Sequence, residues 1–334
     1  MTPVCPACGA SAPAPRLTED YYQPAQKRYY KLYRCAACGV DFSDPMLNPP
    51  PGTYALLYPG VEGFPGLKAD WRAETFFKKV PAPLKVLDIG CGWGVFVHLA
   101  LLKGYDASGT DYSPEKIRVA ETLAPGRIRA ASISDFLKEG LSGSWGAVTM
   151  FDVLEHLDNP LETAREALRL LKPGGLLAVT VPDRRGCKAL TNRHYDSPPH
   201  HLTRWDPGAL KGFLERAGFR VLLIENQALS LLELLSRFTA PLMTAASGAA
   251  AVFNGPVSSG PAPAAGTGAA RKPAGGRKAV AALLKVLFSA LCLIPAAALY
   301  AWCLLFKPHG PALFALAART DQIARISAPA TQDR

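Results

Sequence analysis

The chain has 334 residues, of which 49% are hydrophobic and 19% charged, so it is long enough for one domain of ordinary size with further segments. Its formal net charge of +10 is unevenly spread, because residues 241–334 hold nine basic and two acidic side chains. A basic end of this kind favours an anionic membrane surface as a partner. The first residues have neither the charged nor the apolar region of a secretory signal, and we therefore expect the chain to start in the cytosol.

Two Cys-x-x-Cys-Gly motifs lie near the start of the chain. Their thiols are those of Cys5, Cys8, Cys35 and Cys38. In a reducing compartment this spacing indicates a metal before a disulfide, and four thiolates suit tetrahedral Zn²⁺. We predict a structural zinc ribbon over residues 1–45, with a β-hairpin between the motifs and no position left for a catalytic water. The near-neutral charge of residues 1–60 argues against nucleic acid as its partner.

The middle of the chain alternates apolar strand-like runs with helical stretches. A connecting helical segment is expected over 46–83, followed by a domain over 84–240. Its predicted strands include 85–89, 107–110, 147–150 and 176–181. Strands that alternate with helices indicate a parallel sheet of the α/β class, with crossover connections.

A glycine-rich turn follows the first of these strands. Asp88 precedes Gly90, Cys91 and Gly92, and a helix begins directly afterwards. Glycines let a ligand approach the backbone, but Asp88 would repel a phosphate and attract a cation. Asp111, with Tyr112 beside it, ends the next strand, where an acid can accept hydrogen bonds from ribose hydroxyls. A cation and a ribose together predict S-adenosylmethionine as the cofactor.

The motifs from about 84 to 224 resemble those of the class I S-adenosylmethionine-dependent methyltransferases. The resemblance is to the small-molecule group that includes ubiquinone-biosynthesis O-methyltransferases. It rests on the glycine turn, Asp111, the segment 151–156 and the Leu-Lys-Pro-Gly-Gly run at 171–175. It implies a Rossmann-like, seven-stranded, doubly wound sheet. It also implies cofactor contacts from Asp152 and, near the adenine, from Ser132 and Ile133, where the family usually has an acid.

Three histidines are candidates for catalysis. His156 follows a strand whose carboxyl end faces the cofactor, and His200 and His201 follow the next strand, in a region that commonly closes over acceptors in the family. Each could orient an acceptor or remove its proton, since imidazole titrates near neutrality. The alternative for each is a structural role. Asp152 and Glu155 with His156 are also candidates for a divalent metal site.

The last part of the chain predicts a membrane association. A flexible linker is expected over 241–278, because this stretch consists largely of Ala, Gly, Pro and Ser. Within the segment 279–334, residues 286–306 carry no formal charge and would cover about 31 Å as a helix. This C-terminal apolar helical segment could span the bilayer, lie on its surface or be a core helix. Residues 312–318 are expected to form a second surface helix.

These features predict an enzyme that methylates a hydroxyl of a lipid, quinone or lipid-linked sugar at the cytoplasmic membrane face. The amino-group methyltransferase signature is absent after the strand at 147–150, which favours oxygen, or less often carbon, as the acceptor atom. The sequence is also compatible with three alternative functions. They are a soluble sugar-nucleotide methyltransferase, an RNA methyltransferase that reads RNA with the ribbon, and a non-enzymatic metal-ribbon binding protein.

Overall fold

The computed structural model describes most of the chain up to residue 228 and a short stretch near the end. The described residues are 3–10, 16–48, 64–186, 196–228, 297–298, 301 and 310–320. The predicted linker, and all of the apolar segment 286–306 apart from residues 297, 298 and 301, lie outside them. Among the residues described, no helix is long and apolar enough to cross a bilayer.

The N-terminal region is a small antiparallel sheet. Its strands are β1 (Arg16–Gln23), β2 (Arg28–Arg34) and β3 (Asp41–Asp44). A short 3₁₀ turn at Pro24–Gln26 joins the first two strands, so the predicted hairpin between the cysteine motifs is confirmed. The two motifs thereby come together at one end of the hairpin.

The main sheet has seven strands and confirms the predicted Rossmann-like α/β class. In chain order they are β4 (Lys85–Ile89), β5 (Asp106–Thr110), β6 (Ile128–Arg129), β7 (Trp145–Phe151), β8 (Leu171–Pro182), β10 (Phe219–Asn226) and β11 (Ala312–Arg319), with a short strand β9 (Thr203–Arg204) outside this sheet. The spatial order is β10-β11-β8-β7-β4-β5-β6. β4 to β8 are mutually parallel, and β11 runs antiparallel to both of its neighbours.

Six helices are seen in the described part of the chain. They are α1 (Trp71–Lys79), α2 (Val95–Leu102), α3 (Pro114–Leu123), α4 (Ile133–Lys138), α5 (Pro160–Leu170) and α6 (Pro207–Ala217). Several of these helices begin at a residue whose side chain favours the start of a helix. Asp206, for example, accepts from the amide of Ala209 at 2.9 Å and is followed by a proline, as the sequence predicts.

The C-terminal strand β11 corrects two predictions. Residues 312–318 do not form a surface helix; they lie in the sheet between β10 and β8, and Leu313 to Ala318 are buried. An alanine-rich apolar run has a high helix propensity. Here the strand is favoured, because β11 forms hydrogen bonds with a neighbouring strand on each side and its side chains are buried on both faces of the sheet. The sheet domain is therefore not confined to 84–240. In the sequence, residues 228–308 lie between β10 and β11.

Strand β9 connects the N-terminal region to the sheet domain. It pairs antiparallel with β3, with Phe42 opposite Thr203, and makes the small sheet four-stranded. Arg184 strengthens this connection by contacting the carboxylates of both Asp41 and Asp206. The segment directly after His200 and His201 is thereby fixed against the N-terminal region.

Candidate functional site

The turn between β4 and α2 is tied to the end of the neighbouring strand. The amides of Gly90 and Cys91 donate to the carbonyl of Thr110 at 2.8 and 2.9 Å. Gly90 has φ +70°, and a Cβ there would lie 2.6 Å from the side chain of Val153. Only glycine fits this position without strain, since both the backbone angle and the space exclude a side chain.

Asp88 is buried just before this turn. Thr149 donates a hydrogen bond of 2.6 Å to its carboxylate. Burial raises the pKa of Asp88 to about 7, although the Thr149 hydrogen bond and the charge of Arg72 lower it. A buried carboxylate that is costly to ionise gains when a cation is placed near it.

Asp111 follows β5 and faces the same turn. Its carboxylate accepts from the amide of Gly92 at 2.9 Å and from the amide of Ser113 at 2.8 Å. These two bonds fix its orientation while each oxygen keeps a further lone pair for a ligand. We call Asp88, Gly90, Cys91, Gly92 and Asp111 the acidic turn. The neighbouring Tyr112 lies at its rim and is 76% exposed.

The other predicted cofactor-binding residues differ in which of their atoms are available to contact the cofactor. The thiol of Cys91 is buried against Gly109, so only its backbone faces the turn. Ser132 caps α4 in a reciprocal pair with Asp135, and its hydroxyl donates to that carboxylate at 2.7 Å. Ile133 is the first residue of this helix, and its side chain is buried. A contact to adenine from these residues stays a prediction.

Arg72 is a site residue that the sequence did not reveal. It lies in α1, donates to Asp70 at 2.8 Å and contacts the carboxylate of Asp152. Asp152 also accepts from the hydroxyl of Thr180 at 2.7 Å and has a left-handed backbone, with φ +54°. Both of its carboxylate oxygens are therefore engaged. A non-glycine residue in this conformation is typical of functional sites, but α1 has no motif that would have identified Arg72.

The three predicted catalytic histidines lie together. The ring centroids are 4.8 Å apart for His156 and His200, 4.9 Å for His156 and His201, and 4.7 Å for His200 and His201. Burial lowers the pKa of His156 well below its usual value and that of His200 to about 3. We call these three residues the histidine cluster; at neutral pH, His156 and His200 are uncharged.

Two acids beside the histidine cluster extend it. Asp196 faces Nδ1 of His201 at 3.2 Å and is itself held by Arg204 at 3.2 Å. Glu155 is 1% exposed, and neither of its carboxylate oxygens has a hydrogen-bond partner among the described residues. Burial raises the pKa of Glu155 well above its ordinary value. The sequence pointed to Glu155 only as a metal candidate and did not single out Asp196.

The backbone around the histidine cluster joins three segments that are distant in sequence. The amide of Leu202 donates to the carbonyl of Glu155 at 2.7 Å, and the amide of Ser43 donates to the carbonyl of Leu202 at 2.8 Å. A short 3₁₀ helix (Leu154–His156), the loop before β9 and the N-terminal sheet are thus connected in series. The position of His200 and His201 depends on all three.

The four cysteines converge into one group, as predicted. The Sγ atoms of Cys5 and Cys38 are 3.6 Å apart, and those of Cys8 and Cys35 are also 3.6 Å apart. Thiolates around Zn²⁺ at about 2.3 Å would lie about 3.8 Å from one another, so the group fits this ion. The hydrogen bond between Cys5 and Cys38 raises the pKa of Cys5 and lowers that of Cys38 to about 5.

Comparison with protein families gives a match over the region that carries the acidic turn and the histidine His156. A family model described as a methyltransferase domain matches residues 64–224. Residues 64–224 therefore match a methyltransferase domain, in agreement with the class I S-adenosylmethionine-dependent methyltransferases that the sequence motifs resemble. The spatial order of the seven strands and the acidic turn agree with this assignment.

Curated relatives of this methyltransferase region are ubiquinone biosynthesis O-methyltransferases. One from Xanthomonas axonopodis pv. citri is 36% identical over 155 residues, which is 42% of this chain and 64% of the relative. One from Xanthomonas oryzae pv. oryzae is 35% identical over 108 residues, or 31% and 45% of the two chains. The chain thus spans about half the length of the curated relatives it matches.

Solved structures of similar methyltransferases are more distant. An S-adenosylmethionine-dependent methyltransferase from Archaeoglobus fulgidus superimposes with a TM-score of 0.46 and 19% identity, covering 75% of this chain and 91% of that one.

Proposed function

We propose that the protein is a methyltransferase that transfers the methyl group of S-adenosylmethionine to a hydroxyl oxygen. The acidic turn is the observation that carries this proposal. Asp111 is oriented by two backbone amides for the ribose, and the buried Asp88 favours the cationic end of the cofactor. A nucleotide diphosphate would meet two carboxylates at this turn and be repelled.

The reaction is an in-line displacement. The acceptor oxygen forms a bond to the methyl carbon, the carbon–sulfur bond breaks with its electron pair going to sulfur, and the acceptor proton is released. Much of the rate gain in such a reaction can come from alignment of the reacting atoms. The histidine cluster supports this reaction, because His156 follows β7, whose carboxyl end lies at the same edge of the sheet as the acidic turn, and an uncharged imidazole can orient the acceptor hydroxyl.

The acceptor that we favour is a lipid, a quinone or a lipid-linked sugar at the cytoplasmic membrane face. The uncharged run at 286–306 and the basic residues before it support a membrane partner. The curated relatives are named for O-methylation in ubiquinone biosynthesis, which supports an oxygen acceptor in a membrane-soluble molecule.

We also propose that the cysteine cluster holds a structural Zn²⁺. When bound, the ion would help to fold a region that is too small to form a large apolar core of its own. Cys5, Cys8, Cys35 and Cys38 supply a closed set of four sulfur ligands. The ion would thereby support β3, which pairs with the strand that follows the histidine cluster.

Transfer of a labelled methyl group tests the proposed reaction. In parallel reactions the full chain is incubated with labelled S-adenosylmethionine and either a bacterial lipid extract, a mixture of nucleotide sugars or total RNA, and the products of the lipid reaction are separated by polarity. We expect label in the organic phase and at least a tenfold smaller yield with Asp111→Ala, while Asp106→Ala at the opposite end of β5 serves as a matched control. Label confined to nucleotide sugars or RNA would overturn the lipid assignment, and cofactor binding without any transfer would overturn the enzymatic one.

A further inference from the structure

The histidine cluster has the ligand set of a metal site. One ligand nitrogen from each of His156, His200 and His201 lies within 4.8 Å of the other two. Nitrogens bound to one ion at about 2.1 Å would lie about 3.4 Å apart, so modest ring rotations would close the site. Three imidazoles with one open position are the arrangement of a catalytic metal centre, whereas the four thiolates of the cysteine cluster are that of a structural one.

Two of the three rings are already oriented through their Nδ1 atoms. Nδ1 of His156 lies 2.5 Å from the carbonyl oxygen of His200, and Nδ1 of His201 lies 3.2 Å from the carboxylate of Asp196. An oxygen acceptor at Nδ1 holds the proton on that atom and leaves the lone pair on Nε2. This outer contact, to a carbonyl or a carboxylate, is what metal-binding histidines usually make.

Two acids beside the cluster favour a cation, although the charge of Lys116 also acts on His156 and His200. Asp196 contacts one ring directly, and the buried Glu155 precedes His156 with no hydrogen-bond partner for its carboxylate among the residues described. Burial of a carboxyl group without a partner is costly, and a nearby positive ion would reduce that cost. Asp152, the other acid considered for a metal, is instead engaged by Arg72 and Thr180.

We propose that His156, His200 and His201 bind a divalent transition-metal ion of the kind that prefers imidazole, such as Zn²⁺ or Co²⁺, and leave one position open. Binding of the ion does not depend on the methyltransferase activity, but its role does rest on the proposed function. The open position would take the acceptor oxygen, whose proton goes to solvent as the oxygen binds. The oxygen then forms its bond to the methyl carbon while the carbon–sulfur bond breaks, so the ion replaces a protein base.

Loading of the metal-stripped full chain with Co²⁺ tests this site, because sulfur ligands give a charge-transfer band that imidazoles do not. We expect two Co²⁺ per chain in the wild type. The variant with both His200→Ala and His201→Ala should bind one and retain the full charge-transfer band, which shows that the cysteine cluster is intact. His98→Gln serves as the matched control, since His98 lies in α2 and contacts the carbonyl of Leu123 at 2.8 Å, and it should bind two.

A second variant keeps the test decisive if the double variant does not fold. Asp196→Asn retains the shape of the side chain but weakens the outer contact to His201, and we expect its affinity for the second Co²⁺ to fall about tenfold. A wild type that binds a single Co²⁺, or an unchanged affinity for the second Co²⁺ in Asp196→Asn, would overturn the proposal.

Calorimetry with S-adenosylmethionine on the same samples tests the metal site and the proposed methyltransferase function separately. Cofactor binding with one Co²⁺ contradicts only the metal site, and two Co²⁺ without cofactor binding contradict only the proposed function.

Discussion

The acidic turn and the histidine cluster lie at the same edge of the sheet but are assembled differently. The acidic turn comes from residues 88–111, and two parallel strands with their connecting helix position all of it. The histidine cluster needs residue 156, the loop at 196–202 and the N-terminal strand β3, which are joined by backbone hydrogen bonds. A site from neighbouring strands is set by local sequence, whereas a site from distant segments depends on contacts that only the folded chain makes.

This difference predicts that the contact between the N-terminal region and the loop region affects one site and not the other. Arg184→Ala should lower the free energy of unfolding by about 3 kcal/mol, because it leaves the carboxylates of Asp41 and Asp206 without a buried partner. Urea unfolding measures this change. Arg34→Ala is the matched control, since Arg34 also contacts Asp41 but is 48% exposed, and should cost less than about 1 kcal/mol.

In the folded fraction of the Arg184→Ala protein, the affinity for S-adenosylmethionine should stay within about threefold of wild type. Binding of Co²⁺ at the histidine cluster should weaken, because the loop before β9 loses its support. Equal losses of affinity for S-adenosylmethionine and for Co²⁺ would show that the acidic turn and the histidine cluster are coupled, and would contradict their independent assembly.

A smaller effect is expected from a substitution in the acidic turn. Asp111→Ala should lower the affinity for S-adenosylmethionine by roughly 10- to 100-fold, which corresponds to about 1.5–3 kcal/mol for hydrogen bonds to a charged group. Isothermal calorimetry measures it, with Asp106→Ala as the control, because that side chain forms an exposed ion pair at the start of the same strand. The second Co²⁺ should bind Asp111→Ala as it binds wild type, and a loss there would contradict the separation of the two sites.

The smallest effect is expected at the start of α4. Ser132→Ala removes a helix cap and should lower the free energy of unfolding by about 1 kcal/mol, while Ser132→Asn, which can cap the helix equally well, should lower it by much less. The affinity for S-adenosylmethionine should change less than about threefold in both variants, because the hydroxyl is already bonded to Asp135. A larger change in both would mean that the side chain contacts the cofactor, as the sequence suggests.

The sequence allowed the local parts of the molecule to be predicted and missed those that depend on distant contacts. The cysteine motifs, the glycine turn, Asp111 and the cap at Asp206 are short-range patterns, and the structure has each where the pattern places it. Strand β11 was misread because an apolar run alone cannot distinguish a buried strand from a helix. Arg72 was missed because its partner Asp152 lies 80 residues away in the chain, and Asp196 was missed because no motif encodes its contact with His201, although the two residues are only 5 apart.

The residues of the histidine cluster could be predicted from the sequence, but their grouping could be seen only in the structure. His156, His200 and His201 were each identified from their position after a strand, as separate candidates. Their convergence within one group required the pairing of β3 with β9, which brings the loop at 196–202 against the 3₁₀ helix at Leu154–His156. The possibility of a shared ion follows from that convergence and not from any single residue.

The most direct test of the account is the pH dependence of S-adenosylmethionine binding, measured by calorimetry for wild type and Asp88→Asn. Asp88 has a pKa of about 7 in the free protein, above its ordinary value, so its charged form is lost as the pH falls through 7. A cationic cofactor should therefore bind wild type more weakly below pH 7, by up to about tenfold per pH unit. Asp88→Asn should bind weakly at every pH between about 5.5 and 7.5, without this dependence. Wild-type binding that is independent of pH, or a variant that binds as tightly as wild type, would contradict the claim that a buried carboxylate selects the cofactor.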